Sequence, residues 1–217
     1  MLRDKRHVFW QALLVTALIF SLGIVFGIYI EQIRADESNI LFINSESSLF
    51  DTIALISYLD NENISCKELI SSQIIFADKI YGEAKLLEEY DESSKITDSL
   101  KAVHKKYDLL RTILWINSIK VKEKCSGFNI VVYLYEYNSD DISVKSKQGI
   151  WSKVLADLKG IEGNKLILIP IAVDNDVTTL SIMLNHYNIK EYTVVIINEE
   201  IVITDVSPAE ELEKYLE

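Results

Sequence analysis

The longest apolar stretch of the chain lies close to its N-terminus. Residues 8–30 contain no charged side chain and consist mostly of Leu, Ile, Val, Phe and Ala. As a helix that rises 1.5 Å per residue, this stretch is about 34 Å long, enough to cross a hydrocarbon core of about 30 Å. The pattern predicts a transmembrane helix over residues 8–30, preceded by a short segment, residues 1–7.

A cleaved signal peptide is the alternative interpretation of the same stretch. The apolar run is longer than the roughly 7–15 residues of a typical signal-peptide core, and no small-x-small cleavage pattern follows it. Residues 31–34 read instead as continued helix. These features favour an uncleaved anchor.

The charges on either side of the apolar run predict its orientation. Three basic residues precede it within residues 1–7, whereas Glu31, Asp36 and Glu37 follow it with Arg34 as the only counterweight. By the positive-inside rule, the N-terminus is then cytoplasmic and the remainder of the chain lies outside. We expect a single-pass protein of the cell membrane with an extracytoplasmic C-terminal part.

Residues 31–125 form a predicted helical region that contains two long runs of helical periodicity. The first run begins at Ser65, which forms a capping-box pattern with Glu68 three residues later. The second begins near Lys95, and its seam positions alternate steps of four and three: Ile96, Leu100, Val103, Tyr107, Leu110, Leu114, Asn117 and Val121. With a polar turn at residues 91–94 between them, the runs predict an antiparallel helical hairpin. Two helices that simply pack on a core are the alternative.

After Gly127 the pattern changes to strands that alternate with shorter helices. Strands are predicted at residues 129–137, 165–173, 192–197 and 201–206, and helices at residues 143–159, at 178–187 and after an N-cap at Ser207. The order β-α-β-α-β-β-α predicts an α/β domain over residues 126–217. We expect the first three strands to be parallel, the last two to be antiparallel, and helices to cover both faces of the sheet.

The C-terminal part of this domain carries a family likeness. Tyr187-Asn188-Ile189-Lys190 leads into the apolar run of residues 193–197, and a short strand and a Ser-Pro-Ala-Glu-Glu-Leu helix follow. This stretch, and the order of elements over residues 127–217, resembles the thioredoxin fold. With its anchor and helical region, the whole layout resembles membrane-anchored archaeal thioredoxin-like proteins. The resemblance implies a groove that can bind extended peptide beside the third strand.

The sequence departs from that family where the family has its chemistry. Thioredoxins carry Cys-x-x-Cys just after the first strand, where a helix N-terminus lowers the thiol pKa. Here residues 138–145 contain no cysteine, and alignment on Gln148-Gly149 puts Ile142 and Lys145 at the two cysteine positions. Tyr192 lies near the position of the family's cis-proline. The comparison implies a degenerate, redox-inactive site that consists of Asp140, Asp141, Ile142, Lys145 and Tyr192.

The chain contains two cysteines, Cys66 and Cys125. Cys66 opens the first helix of the hairpin and Cys125 follows the second, so antiparallel helices return both residues to the same end. A disulfide across a loop of this length contributes roughly 4 kcal/mol on chain-entropy grounds, and it agrees with an oxidising compartment. We predict a structural disulfide between them. Two buried free thiols are the alternative.

Four aspartates follow the first two strands: Asp140 and Asp141 after the first, Asp174 and Asp176 after the second. Parallel strands end at the same edge of a sheet, so these carboxylates form a candidate Ca²⁺ site. However, aspartates cap helices routinely, and no 12-residue calcium-loop pattern is present. We predict no bound metal and no cofactor.

Charge and motifs narrow the classes of function. A net charge of -11 without clustered Lys and Arg argues against nucleic acid as a partner. No Gly-rich phosphate loop or nucleophile elbow occurs. Three hypotheses remain: an extracytoplasmic binding or scaffold protein for a peptide or protein partner, a thiol-disulfide oxidoreductase that uses Cys66 and Cys125, and a structural subunit of a membrane complex. The first is favoured, and an enzyme is less favoured.

Overall fold

The structure, a computed structural model, describes residues 5–57, 65–93 and 98–216. Within these ranges it describes all side chains except those of residues 5–7, 34–42, 44, 45, 52, 55–57, 86–93 and 98–100. The chain forms two compact units, Met1–Ile43 and Asn44–Glu217. Helix α1, Lys5–Ser57, contributes residues to both units.

The first unit contains the one helical segment, among the described residues, that is long and apolar enough to cross a membrane. Val8–Ile33 spans 26 residues with a mean hydropathy of 2.5, and none of it is buried. Its threonine and serine hydroxyls bond within the helix, because Thr16 Oγ1 donates to the carbonyl of Ala12 at 3.0 Å and Ser21 Oγ to that of Ala17 at 2.8 Å. Length and composition fit a membrane span and also a signal sequence. The side chains of residues 1–7, on which the predicted orientation depends, lie outside the described part.

The second unit contains the end of α1, then a helical hairpin and an α/β part. The hairpin helices are α2, Cys66–Ser93, and α3, Asp98–Lys124. The elements that follow are β1 Asn129–Tyr135, α4 Ile142–Glu162, β2 Leu166–Ala172, α5 Thr178–His186, β3 Val194–Ile197, β4 Ile201–Ile203 and α6 Ala209–Leu212, with 3₁₀ turns at Gly163–Lys165 and Glu213–Tyr215. The predicted order β-α-β-α-β-β-α is confirmed, with shorter strands than predicted.

The two predicted helix caps have different outcomes. The capping box before α2 is present, since the amide of Glu68 donates to Ser65 Oγ and the amide of Ser65 donates to Glu68 Oε2, both at 3.3 Å. The prediction of Ser207 as the cap of the last helix was wrong. Pro208 holds that position and makes no side-chain capping bond.

The four strands form one mixed sheet in the order β2-β1-β3-β4. β1 and β2 are parallel, whereas β3 runs antiparallel to β1 and to β4. The prediction of three parallel strands was therefore wrong for β3. A nine-residue α5 is about 13 Å long, whereas a seven-residue strand such as β2 is about 23 Å long. The helix is too short to return the chain to the opposite edge, so β3 begins where β2 ends.

Helices cover both faces of the sheet. Val131 and Tyr133 of β1 contribute to an apolar cluster with Trp151 and Leu155 of α4 and with Leu212 of α6. The other face is covered by the hairpin, with α3 packed against β1, β2 and α5, and α2 packed against β2.

The seam of α3 therefore faces the sheet as well as α2. Its residues Tyr107, Leu110, Leu114 and Val121 are at most 3% exposed. Helix α3 therefore forms a hairpin with α2 and also packs on the core, so both interpretations of this region hold. The boundary predicted between residues 125 and 126 lies within one compact unit. Ile96 and the side chain of Leu100 lie outside the described part.

Candidate functional site

The predicted disulfide is present and joins Cys66 to Cys125. The bridge connects residues 59 positions apart, at the start of α2 and directly after α3. The sulfur of Cys125 is inaccessible, because that residue is only 3% exposed. Since Cys125 lies four residues before β1 begins at Asn129, the bridge belongs to the edge of the sheet at which β1 starts.

The predicted site residues lie at the opposite edge, where β1 and β2 end and β3 begins. Two aspartates organise the loop between β1 and α4. Asp174 accepts hydrogen bonds from the amides of Tyr137 at 2.8 Å and Asn138 at 2.7 Å. Asp141 is the N-cap of α4 and accepts a bond from the amide of Ser143 at 2.7 Å. Both carboxylates therefore stabilise the backbone at this edge.

The first turn of α4 presents its side chains to solvent. Ile142 is 82% exposed, a high value for an aliphatic residue, and Lys145 is also exposed. These two residues stand where the resemblance places cysteines, and both cysteines of the chain are engaged in the bridge elsewhere. No thiol is therefore available at this turn.

The segment before β3 contains the most constrained backbone of this edge. Thr193 has φ 73° and is 1% exposed, and a β-branched residue at positive φ costs roughly 1–3 kcal/mol. Its amide donates to the carbonyl of Leu134 at 3.0 Å, and its hydroxyl accepts a bond from Gln148 Nε2 of α4 at 3.5 Å. These contacts hold the neighbouring Tyr192, 43% exposed, at the same edge as the start of α4.

The candidate cation site of four aspartates is not supported by the structure. Asp140 and Asp176 are exposed, and the other two bond the backbone as described above. Within residues 5–57, 65–93 and 98–216, no group of three His, Cys, Asp or Glu side chains is placed so that it could hold a metal ion.

A buried carboxylate on the hairpin was missed by the sequence analysis. Asp108 of α3 is 2% exposed and accepts bonds from the amide of Ala172 at 3.0 Å and from Asn175 Nδ2 at 2.6 Å. Arg111 lies 3.4 Å away in an ion pair. Burial raises the pKa of Asp108, and the positive charge of Arg111 opposes that effect. The signal in the sequence was an Asp and an Arg three residues apart between the apolar seam positions.

A second carboxyl with a raised pKa, this one half-buried, lies at the edge of the sheet where β1 starts. Glu199 occupies the tight turn between β3 and β4 with φ 61°. Burial raises the pKa of Glu199, and the ammonium of Lys122 opposes the shift. Burial and the charge of Glu199 also raise the pKa of Tyr187, whose ring stacks on Trp115 with centroids 5.4 Å apart.

No protein-family model, curated protein or solved structure matches this chain. The arrangement at the edge formed by α4 and the start of β3 is therefore interpreted from its own geometry. That geometry comprises two exposed apolar side chains, a constrained backbone and no sulfur.

Proposed function

We propose that this chain is a membrane-anchored, redox-inactive, thioredoxin-like binding protein whose Asn44–Glu217 unit lies outside the cytoplasm. The observation that carries the proposal is the sheet edge at which Ile142, in the first turn of α4, and Tyr192, next to the constrained Thr193, are both exposed. Exposed apolar and aromatic side chains on a fixed backbone are typical of surfaces that bind a partner. An extended peptide along the segment before β3 is the partner that fits this edge.

The resemblance to thioredoxins is supported by the order of strands and helices from β1 to α6. The lack of a redox role is supported by the position of both cysteines at the other edge of the sheet. An extracytoplasmic location is supported by the disulfide, because such bonds persist in oxidising compartments. The apolar helix Val8–Ile33 supplies the anchor.

Site-specific photo-crosslinking tests the binding edge. The full chain in nanodiscs carries benzoylphenylalanine in place of Tyr192 or Ile142 and is exposed to a pool of unstructured peptides. We expect several-fold more peptide adduct from either position than from Ile182, a control that is 65% exposed on α5. Equal yields at the three positions would exclude a peptide site at this edge.

Replacement of the two cysteines tests peptide binding and redox chemistry separately. The double variant Cys66→Ser/Cys125→Ser should retain the crosslinking yield at Tyr192, and the wild-type chain should not reduce insulin above background. If insulin is reduced and single replacements abolish the activity, the oxidoreductase hypothesis replaces this proposal.

Thiol labelling tests the location. The chain is extracted under alkylating conditions, and its mass is measured before and after reduction. We expect both cysteines to be blocked until reduction. Free labelling of both in the folded chain would contradict an oxidising location.

A further inference from the structure

A cavity of about 700 Å³ lies between α2, α4 and the strand β2. This volume is within the roughly 300–1,000 Å³ of small-molecule sites. An ion pair between Lys159 of α4 and Asp78 of α2, at 3.2 Å, connects the two helices that form its walls. The cavity belongs entirely to the Asn44–Glu217 unit.

The charge of this cavity is opposite to that of the whole chain. Lys85 of α2, Arg111 of α3 and Lys145 of α4 all line it, so three separate helices each contribute one cation. Among the described residues that line the cavity there is no Asp or Glu, although the chain carries a net charge of -11. Arg111 also pairs with Asp108 outside the lining, which leaves the two lysines as the larger source of positive potential.

The remaining wall is flat and largely apolar. Tyr133 and Tyr135 of β1 stack with ring centroids 5.5 Å apart and an interplanar angle of 19°, beside Leu168 and Pro170 of β2. The hydroxyl of Tyr133 donates to the carbonyl of Gln148 at 3.4 Å. Burial raises the pKa of Tyr133 far above neutrality, so this hydroxyl keeps its proton and adds no negative charge.

We propose that this cavity binds a small organic anion, a carboxylate or phosphate carried on a flat apolar group. Lysine and arginine side chains are the usual donors to such anionic groups. The tyrosine rings, Leu168 and Pro170 offer the apolar surface for the rest of the molecule. The inference does not depend on the peptide edge, although Lys145 belongs to both regions.

Lysine reactivity tests the site in the full chain. The protein in nanodiscs of zwitterionic lipid is acetylated with acetic anhydride, and the rate at each lysine is measured by peptide mass spectrometry. We expect saturating phenyl phosphate or benzoate to slow acetylation of Lys85 and Lys145 several-fold. Lys153, exposed on α4 but outside the cavity, should keep its rate, and neutral benzyl alcohol should protect no lysine. Uniform protection, or none, overturns the proposal.

Substitutions then assign the anion contacts. Lys145→Gln should weaken phenyl phosphate binding about tenfold, the loss expected for one charge-assisted hydrogen bond, and the matched variant Lys153→Gln should bind as the wild type does. Arg111→Gln tests the buried cation. If that variant does not fold, the double variant Lys85→Gln/Lys145→Gln decides, and unchanged binding by it overturns the proposal.

The lipid composition of the nanodisc distinguishes the two sources of such an anion. If a lipid headgroup is the occupant, discs that contain phosphatidylglycerol protect Lys85 and Lys145 without added probe and leave Lys153 reactive. If a free solute is the occupant, both lysines stay reactive until phenyl phosphate or benzoate is added. Both results support the anion site, and protection under neither condition overturns it.

Discussion

The two faces of the sheet are packed by different means. On the α4 face, Trp151, Leu155 and Leu158 are at most 2% exposed and the cluster around them is apolar. On the hairpin face, hydrogen-bonded polar side chains are buried among the apolar ones, including Glu83 at 8% exposure, which accepts a bond from the Tyr107 hydroxyl, and Asp108 at 2%, which accepts one from the Ala172 amide. Apolar burial is non-directional, whereas hydrogen bonds and ion pairs depend on geometry. The comparison indicates that the α4 face is held mainly by apolar packing, whereas the hairpin face combines apolar packing with directional contacts that position it.

The largest effect is expected from the apolar face. Trp151→Ala removes a large side chain that is 0% exposed, and such truncations cost about 5 kcal/mol at the upper end of the observed range. Pulse proteolysis of the full chain in nanodiscs measures the free energy of unfolding. Lys153→Ala, at an exposed position of the same helix, is the control and should change it little. If Trp151→Ala lost less free energy of unfolding than the Asp108→Ala variant, which is described later, the comparison would be reversed.

The second-largest loss of stability is expected when the disulfide of the hairpin is removed. Cys66→Ser/Cys125→Ser opens a loop of 59 residues and should lower the free energy of unfolding by about 4 kcal/mol. The wild-type chain kept in reductant is the matched control, because it differs from the serine variant only by two sulfur atoms in place of two oxygens. Agreement between the two samples would assign the loss to the bridge. A substantially larger loss in the serine variant would show that the serines themselves disturb the packing.

A smaller loss is expected from the polar contacts of the hairpin. Asp108→Ala removes the acceptor for the Ala172 amide and for Asn175 and the ion-pair partner of Arg111, at a cost of about 3 kcal/mol. Asn175→Ala removes one of these bonds and should cost about 1 kcal/mol. Asp140→Ala, at an exposed position, is the control. Equal effects at Asp108 and Asp140 would show that the buried carboxylate does not position the hairpin.

The smallest effect is a change in pH dependence. The pKa of Glu199 in the folded chain is raised above its ordinary value of 4.5, so the folded state binds this proton more tightly than the unfolded state. The resulting stabilisation is present below pH 4.5 and is lost as pH rises through the folded pKa. Unfolding free energy measured from pH 4 to 8 should therefore decline less steeply in Glu199→Gln than in the wild type. Glu191→Gln, at an exposed position that is not among the charges shifting the pKa of Glu199, should follow the wild type, and identical slopes for all three chains would contradict the assignment.

Local signals in the sequence predicted much of this fold. The capping box of Ser65 and Glu68 depends on residues three apart, and the order of elements follows from hydrophobic period and turn composition. The direction of β3 was not predictable in this way, because an apolar run specifies burial and carries no direction. The first strand was predicted to extend to residue 137. However, β1 ends at Tyr135 and the Tyr137 hydroxyl meets His104 Nε2 of α3 at 2.9 Å.

The contacts that organise the candidate sites are mostly long-range. Asp108 and Asn175 are 67 residues apart, and nothing local indicates that they meet. Thr193 was equally unpredictable, because threonine is disfavoured at positive φ and only the surrounding structure imposes that conformation. Ile142, Lys145 and Tyr192 lie at one edge of the sheet because they follow β1 or precede β3, and β3 begins beside the end of β1. The cations of the cavity come from three helices, so no motif in the sequence groups them.

The disulfide also determines what happens if the polypeptide is cut. Cys66 and Cys125 bracket nearly the whole hairpin, so a single break in the backbone between them yields two fragments that remain covalently joined. The N-terminal fragment, which carries the apolar helix, would then remain covalently linked to the fragment that contains the sheet. Under non-reducing conditions such a nicked molecule would migrate as one chain, and reduction alone would release the C-terminal piece from the apolar helix.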